Sequence, residues 1–300
     1  MTIRASWLQA RKLLKASGIS DDAIEAEVLL RHAASINRVE FFASLDSSIP
    51  VHTNLLLDKL VKRRSDREPL AYIVGSREFY GLNFSVDSRV LIPRQETELL
   101  VEEVLDFVEY RCLETVTVAD VGTGSGAIAI SIAKRLHQAN VFATDISLEA
   151  LEVANLNRHK HGVSSRVDLL QGHLLKPLQQ SVDVIVSNPP YIPSCLIERL
   201  DLEIRKEPRE SLDGGPAGTR IISELVETAP RLLREGGMMV IEIDPTQSES
   251  TIDLLKRCFP VAKVSVVKDL HGLHRAVKAI LPPSSQAGNI RPKIVPPISG

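Results

Sequence analysis

Cysteine is scarce in this chain of 300 residues, where Cys112, Cys195 and Cys258 stand far apart. That spacing excludes a zinc framework of paired cysteines and a disulfide-stapled fold. A reducing cytoplasm is the expected home. No apolar run approaches the roughly 18 residues that a membrane-spanning helix needs, and the N-terminus lacks the charged-then-apolar pattern of a secretory signal. An excess of charge of one sign is missing as well. The 36 Lys and Arg against 38 Asp and Glu leave a formal net charge of -2, which argues against a protein built around a long phosphate backbone. There is no internal repeat. The length permits one large core plus a small satellite domain.

What is present is chemistry at two places. Asn188-Pro189-Pro190-Tyr191 follows the apolar run 182–187, which reads as a buried strand delivering the tetrapeptide to the carboxyl edge of a sheet, where ligands of open α/β folds bind. Two prolines fix the dihedrals and remove two backbone donors. What remains are acceptors, the Asn188 side-chain oxygen and the Pro189 carbonyl, beside the aromatic face of Tyr191. Such a corner suits an NH2 group on a flat π system. An amide nitrogen delocalises its lone pair and attacks electrophiles poorly. Accepting hydrogen bonds from both of its N–H groups opposes that delocalisation and aims the lone pair. The bland alternative is a proline-rich turn after a strand.

The second place is Asp120-Val121-Gly122-Thr123-Gly124-Ser125-Gly126-Ala127, between a β-branched stretch and an apolar helical pattern. Glycines there permit positive φ and close approach of a ligand to backbone, and the helix N-terminus offers free N–H groups. Gly122, Gly124 and Ala127 also satisfy the pattern of a nicotinamide-binding turn, with Asp145 at a suitable distance to accept from ribose hydroxyls. The loop alone therefore indicates a nucleoside cofactor. S-adenosylmethionine, with a ribose and a methyl sulfonium, satisfies both the loop and the tetrapeptide.

Further segments carry a resemblance: Glu68-Pro69-Leu70, Glu78-Phe79-Tyr80-Gly81, Ile92-Pro93-Arg94 with Glu96-Thr97-Glu98, Asp145-Ile146-Ser147, Glu207-Pro208-Arg209 with Leu212-Asp213-Gly214-Gly215, and Asp269-Leu270 with Gly272 and Arg275. With the two motifs they resemble the PrmC or HemK family, protein-glutamine N5-methyltransferases of peptide chain release factors. The resemblance implies an α/β fold, a class I S-adenosylmethionine-dependent methyltransferase with a Rossmann-like sheet of about seven strands and a small N-terminal helical domain. It implies cofactor contacts at Gly122, Thr123, Gly124, Ser125, Gly126, Asp145, Ile146, His173, Leu174 and Asn188. Catalysis would fall to Asn188, Pro189 and Tyr191, with Pro190 joining them against the substrate, and no metal. Three positions depart from the family pattern. Gln95 replaces a proline, which implies a looser linker; His173 replaces an acid; Asp244 replaces a glycine.

Along the chain, residues 1–70 read as a helical docking domain, 71–93 as a hairpin linker, 94–281 as the catalytic domain and 282–300 as a disordered tail rich in proline and serine. Trp7, Ala10 and Leu14 share a helix face that Gly18 ends, and Asp22 with Glu25 resembles a capping box. Leu57, Leu60 and Val61 form a third apolar stripe flanked by the basic residues Lys59, Lys62, Arg63 and Arg64, either a solvated face or a partner surface. Residues 198–218 read as a loop over the substrate, and 219–234 as a helix stopped by Gly236-Gly237. Asp120 and Glu96 are candidates for shaping the cofactor site, against simple capping roles. The expected partner is a release factor, without nucleic acid or membrane, and the default state is a monomer. The competing functions are an N6-adenine DNA methyltransferase, using the same acceptors on a flipped base, and a non-catalytic binding module.

Overall fold

The structure is a computed structural model that describes residues 1–283; all but the first two residues of the expected tail lie outside the described residues. The chain opens with helices α1 (Ile3–Ala16), α2 (Asp22–Ala34), α3 (Arg38–Ala43), α4 (Val51–Ser65) and α5 (Leu70–Val74). Thr2 caps α1 by accepting from the Ala5 N–H at 3.2 Å, and Gly18, at φ 73°, turns the chain away after it. Leu14, Leu29, Leu30, Phe41, Leu57, Leu60 and Val61 close one core among these helices.

One local expectation, the capping box of α2, fails because residues from outside the helix take the side chains. Asp22 pairs with Arg11 at 2.8 Å and Glu25 with Arg64 at 3.0 Å, so no side chain caps α2. The basic cluster on α4 is partly ion-paired, with Lys59 and Lys62 exposed to solvent. Arg64 is 3% exposed between Glu25 and Glu203, Arg63 holds Glu68, and Lys62 holds Asp66. Tyr72, expected in a strand, sits in α5 with its hydroxyl donating to the Val90 carbonyl at 2.6 Å. The hairpin itself is shorter, β1 (Ser76–Phe79) against β2 (Leu82–Ser85).

The second body is a seven-stranded sheet built from β3 (Val116–Val121), β4 (Ala139–Asp145), β5 (Val167–Gln171), β6 (Val182–Ser187), β7 (Leu233–Glu242), β8 (Lys263–Lys268) and β9 (His274–Ile280), in the order β5-β4-β3-β6-β7-β9-β8. The first five are mutually parallel, and β9 runs antiparallel to β7 and β8. Alternate residues feed opposite faces, as the period of a strand requires. Val184, Val186, Met238 and Val240 join the core under α6 (Glu98–Arg111), α7 (Ala127–Arg135) and α8 (Leu148–Lys160). Ile185, Met239 and Ile241 join the core under α9 (Arg220–Thr228) and α10 (Ser248–Cys258). Strand order reverses between β3 and β6, so the crevice beyond their carboxyl ends is the topological switch point of the sheet.

One expectation for the catalytic half is corrected. The helix expected over 219–234 stops at Thr228, where Pro230 permits only a tight turn, and β7 already begins at Leu233. Gly236 and Gly237 therefore lie inside a strand, at a register irregularity opposite β6, where a β-carbon on Gly237 would approach the Asp183 carbonyl to 2.7 Å. The stretch 198–218 is a series of 3-10 turns tied down at several points. Its Glu207 accepts from the Ile92 N–H at 3.0 Å and pairs with Arg94, and Glu203 pairs with Arg64 at 2.8 Å. The linker is thus anchored despite Gln95, which itself starts a 3-10 turn. Among the described residues, no helix is long and apolar enough to cross a membrane.

Candidate active site at the strand-order reversal

The glycine turn leaves β3 and enters α7. Gly122, Gly124 and Gly126 have φ of 74°, 55° and 82°, a region that costs other residues strain. Their surroundings differ. A β-carbon on Gly126 would meet Ile130 Cδ1 at 2.8 Å, so that glycine serves packing, whereas one on Gly122 or Gly124 would meet nothing within 4 Å. Gly122 is exposed and Gly124 half-buried, which leaves their backbone open to a ligand. Thr123 and Ser125 are buried, and their roles in the turn are internal: the Thr123 hydroxyl donates to Asp120 at 2.6 Å, and the Ser125 carbonyl accepts from Asn157 at 2.9 Å. Asp120 also accepts from the Ala129 N–H at 3.1 Å, satisfying a first-turn donor of α7 that its N-cap residue, Gly126, has no side chain to meet. Burial pushes its carboxyl up to about 7 against the pull of those two donors, and its Oδ1 has no partner.

Asp145 ends β4 beside this turn. Its Oδ2 accepts from the Gly124 N–H at 2.8 Å and its Oδ1 from the Ser147 N–H at 2.9 Å. Burial raises its pKa although these backbone donors oppose the shift. Each oxygen keeps a lone pair for a further donor. Ile146 follows with 57% of its surface exposed, an apolar side chain in the open at the crevice mouth. The 173–174 pair is split in its roles. His173 Nε2 meets Glu224 at 2.7 Å, while Leu174, at φ 52°, packs partly against the core of Ile185 and Met239.

Asn188 leaves β6 at the same edge. Its Nδ2 donates to Thr97 Oγ1 at 3.0 Å, and Thr97 in turn donates to Glu242 Oε2 at 2.7 Å. Among the described residues, no protein donor is paired with Asn188 Oδ1 or the Pro189 carbonyl. Asn188 is half-buried at this edge and Pro189 is buried. The Tyr191 hydroxyl lies 3.4 Å from Glu242 Oε1, and burial with that acid nearby pushes its pKa far up. Glu242 is 4% exposed, and burial raises its carboxyl to about 7 against the donors Thr97 and Tyr191. The main chain of the tetrapeptide is braced from behind. Gln247 donates to the Tyr191 carbonyl at 2.8 Å, and Ile192 exchanges hydrogen bonds with Leu212 and Gly214. Asp244 caps the turn that carries Gln247, accepting from the Thr246 N–H at 2.9 Å.

Thr97, Glu242 and Gln247 are the members of this arrangement that sequence reasoning left out of the site. One signal existed for Glu242: an acid ending the apolar run 238–241, a costly residue in such a place unless partnered.

The sheet order and the switch-point crevice, with a glycine turn on one side and an acceptor corner on the other, define a class I methyltransferase. The comparisons agree. Residues 7–75 match the family model described as PrmC N-terminal domain, and residues 95–197 match that of the Methyltransferase small domain. The catalytic domain of hMettl16 in complex with MAT2A 3'UTR hairpin 6 shares the fold, with a TM-score of 0.53 at 14% identity over 77% of this chain and 84% of that one. The T. thermophilus 16S rRNA N2 methyltransferase RsmC, in complex with AdoMet and guanosine, aligns with a TM-score of 0.50 at 18% identity over 69% of this chain and 49% of that one. A release factor glutamine methyltransferase of Moorella thermoacetica is 41% identical over 93% of this chain and 98% of its own. The chain belongs to the release factor glutamine methyltransferase family.

Proposed function

We propose that this methyltransferase moves a methyl group from S-adenosylmethionine to the N5 side-chain amide nitrogen of a glutamine in a peptide chain release factor. The observation that carries the proposal is the free acceptor pair, Asn188 Oδ1 and the Pro189 carbonyl, next to a glycine turn with open space above it. The cofactor fits these residues, because β-carbons on Gly122 and Gly124 would occupy empty space and Asp145 retains acceptor capacity. When bound it supplies an electrophilic methyl group on a sulfonium. Gly122 to Gly126 would admit it to the main chain, Asp145 would accept from its ribose hydroxyls, and Ile146 would cover the base, with His173 and Leu174 at the same mouth. Asn188 Oδ1 and the Pro189 carbonyl would accept from the two N–H groups of the glutamine amide, oppose its delocalisation and aim the nitrogen lone pair. Pro190 and Tyr191 would pack against the flat amide. The nitrogen gains a methyl group and loses a proton, which leaves to solvent without a dedicated base.

In this reading residues 1–70 dock the release factor, 71–93 link, and 94–281 carry out catalysis, in the cytoplasm and as a monomer. The ion-paired state of Lys62, Arg63 and Arg64 weighs against a duplex-binding role for the helical part. The test is incubation with labelled cofactor and either a release factor or adenine-containing DNA. Label in the protein, lost in Asn188→Ala, is the expected result; label in DNA alone would refute the proposal.

A further inference from the structure

An amide gripping another amide has a direction problem. Asn188 carries an oxygen and an NH2 of almost the same size, and only the oxygen can accept from a substrate NH2; the reverse orientation would set donor against donor. Steric fit cannot choose between the two. A hydrogen-bond partner of fixed polarity can.

Thr97 and Glu242 form such a partner. A hydroxyl has one proton and two lone pairs. Thr97 Oγ1 stands 2.7 Å from Glu242 Oε2 and 3.0 Å from Asn188 Nδ2. A carboxylate accepts only, so the Thr97 proton is committed to Glu242 and the lone pairs of Thr97 face Asn188. Only the NH2 of Asn188 can meet them, and its oxygen is turned toward the crevice. We propose that Thr97 and Glu242 are positioning residues that set the polarity of the Asn188 amide, a carboxylate fixing, through one hydroxyl, which atom of the asparagine faces the methyl-accepting nitrogen. The inference rests on the proposed glutamine-gripping role of Asn188.

The relay is built into the fold. Thr97 is 5% exposed in the turn that precedes α6, and Glu242 is 4% exposed at the end of β7. Every charged or titratable group that bears on Glu242 comes from a different element. Glu96 lies before α6, Tyr191 follows β6 and Arg275 is on β9. Burial raises the carboxyl to about 7, the Thr97 and Tyr191 hydroxyls and Arg275 favour the charged form, and Glu96 opposes it. Below that range a protonated Glu242 can donate to Thr97, which frees the Thr97 proton to meet Asn188 Oδ1. The grip would then present the wrong end. The charged carboxylate fixes the polarity of the site, and a proton on Oε2 releases it.

The experiment uses the full chain with its release factor substrate and S-adenosylmethionine, comparing Thr97→Val, Thr97→Ser and Glu242→Gln, with Asn188→Ala as the reference. Thr97→Val keeps shape and removes the hydroxyl, so kcat is expected to fall roughly tenfold or more with KM for the cofactor unchanged, and Thr97→Ser is expected to restore it. In the wild type kcat should rise with pH through about 7, and Glu242→Gln, whose amide tolerates either direction, should show a lower kcat without that rise. A kcat of Thr97→Val within about twofold of wild type, or an acid limb that persists in Glu242→Gln, overturns the inference. If Thr97→Val does not fold, as read from its melting curve, the Glu242→Gln pH profile decides alone. Turnover retained in Asn188→Ala would instead remove the grip itself, which separates failure of that role from failure of the relay.

Discussion

Gly218 stands so close to the carbonyl oxygen of Tyr191 that a β-carbon on it would lie 2.2 Å away, and its φ of 74° is one that side-chain-bearing residues rarely adopt. Gly214 backs the preceding residue in the same manner, with a β-carbon position 2.7 Å from the Pro190 carbonyl. These two glycines let the segment after the 3-10 turns lie flat behind the tetrapeptide and set its position. Gly218→Ala is therefore expected to push Tyr191 and the Asn188 corner forward. The expected outcome is a loss of roughly tenfold or more in kcat/KM, with cofactor affinity by calorimetry changed little because the glycine turn on β3 is untouched.

Asp145 joins two backbone donors that belong to different loops, the Gly124 N–H and the Ser147 N–H. Asp145→Ala removes the acceptors of both and the acceptor proposed for a ribose hydroxyl. Its cofactor Kd is expected to rise by about one to two orders of magnitude, consistent with the loss of one hydrogen bond to a charged group. Equilibrium binding of the cofactor measures it. Asp145→Asn keeps one acceptor oxygen and should fall between.

Glu242 makes the fold sensitive to pH in a defined direction. Its folded pKa of about 7 exceeds that of an unfolded glutamate. Between those values the native state binds more protons than the unfolded one, so stability falls as pH rises from about 4.5 through about 7. Glu242→Gln removes the penalty. Its melting temperature should exceed that of wild type near pH 8, by an amount corresponding to about 1 to 3 kcal/mol, and match it near pH 5. Thermal denaturation at the two pH values tests this, and the gain in stability should accompany the loss of activity.

Arg64 is the buried cation between Glu25 of the helical part and Glu203 of the turns that follow the tetrapeptide. Arg64→Met keeps much of the packing, leaves Glu25 without its partner and leaves Glu203 only Arg67 at 3.6 Å. Removing one member of a buried ion pair costs about 3 kcal/mol, so denaturant unfolding should show a clear loss. Residue Glu203 is more exposed than Glu25; the single change Glu203→Gln should cost less.

How much was legible from sequence divides along chain distance. Asn188 to Tyr191 and Gly122 to Gly126 were readable because their chemistry needs particular residue types in contiguous positions, and the strands that deliver them are unbroken apolar runs. Thr97 was readable only as part of a family segment. Its functional neighbours lie 91 and 145 residues away, at Asn188 and Glu242, and no local pattern encodes such a meeting. The failures have the same origin. Glu25 fits a capping box until Arg64, 39 residues on, takes its carboxylate. Gly236 and Gly237 look like a helix stop because glycine ends helices and also bends strands, and only pairing with β6 distinguishes the two. Within the basic cluster on α4, Arg64 meets acids remote in the sequence, Glu25 and Glu203, which no local pattern encodes.

In the proposed reaction two acceptors, Asn188 Oδ1 and the Pro189 carbonyl, hold the nitrogen that receives the methyl group. A crystal structure with S-adenosylhomocysteine and a glutamine-containing release factor fragment measures it directly. Both oxygens are expected within hydrogen-bond distance of the glutamine side-chain nitrogen, with that nitrogen facing the cofactor sulfur. A glutamine amide bound elsewhere, or one whose oxygen rather than nitrogen meets Asn188, would contradict it.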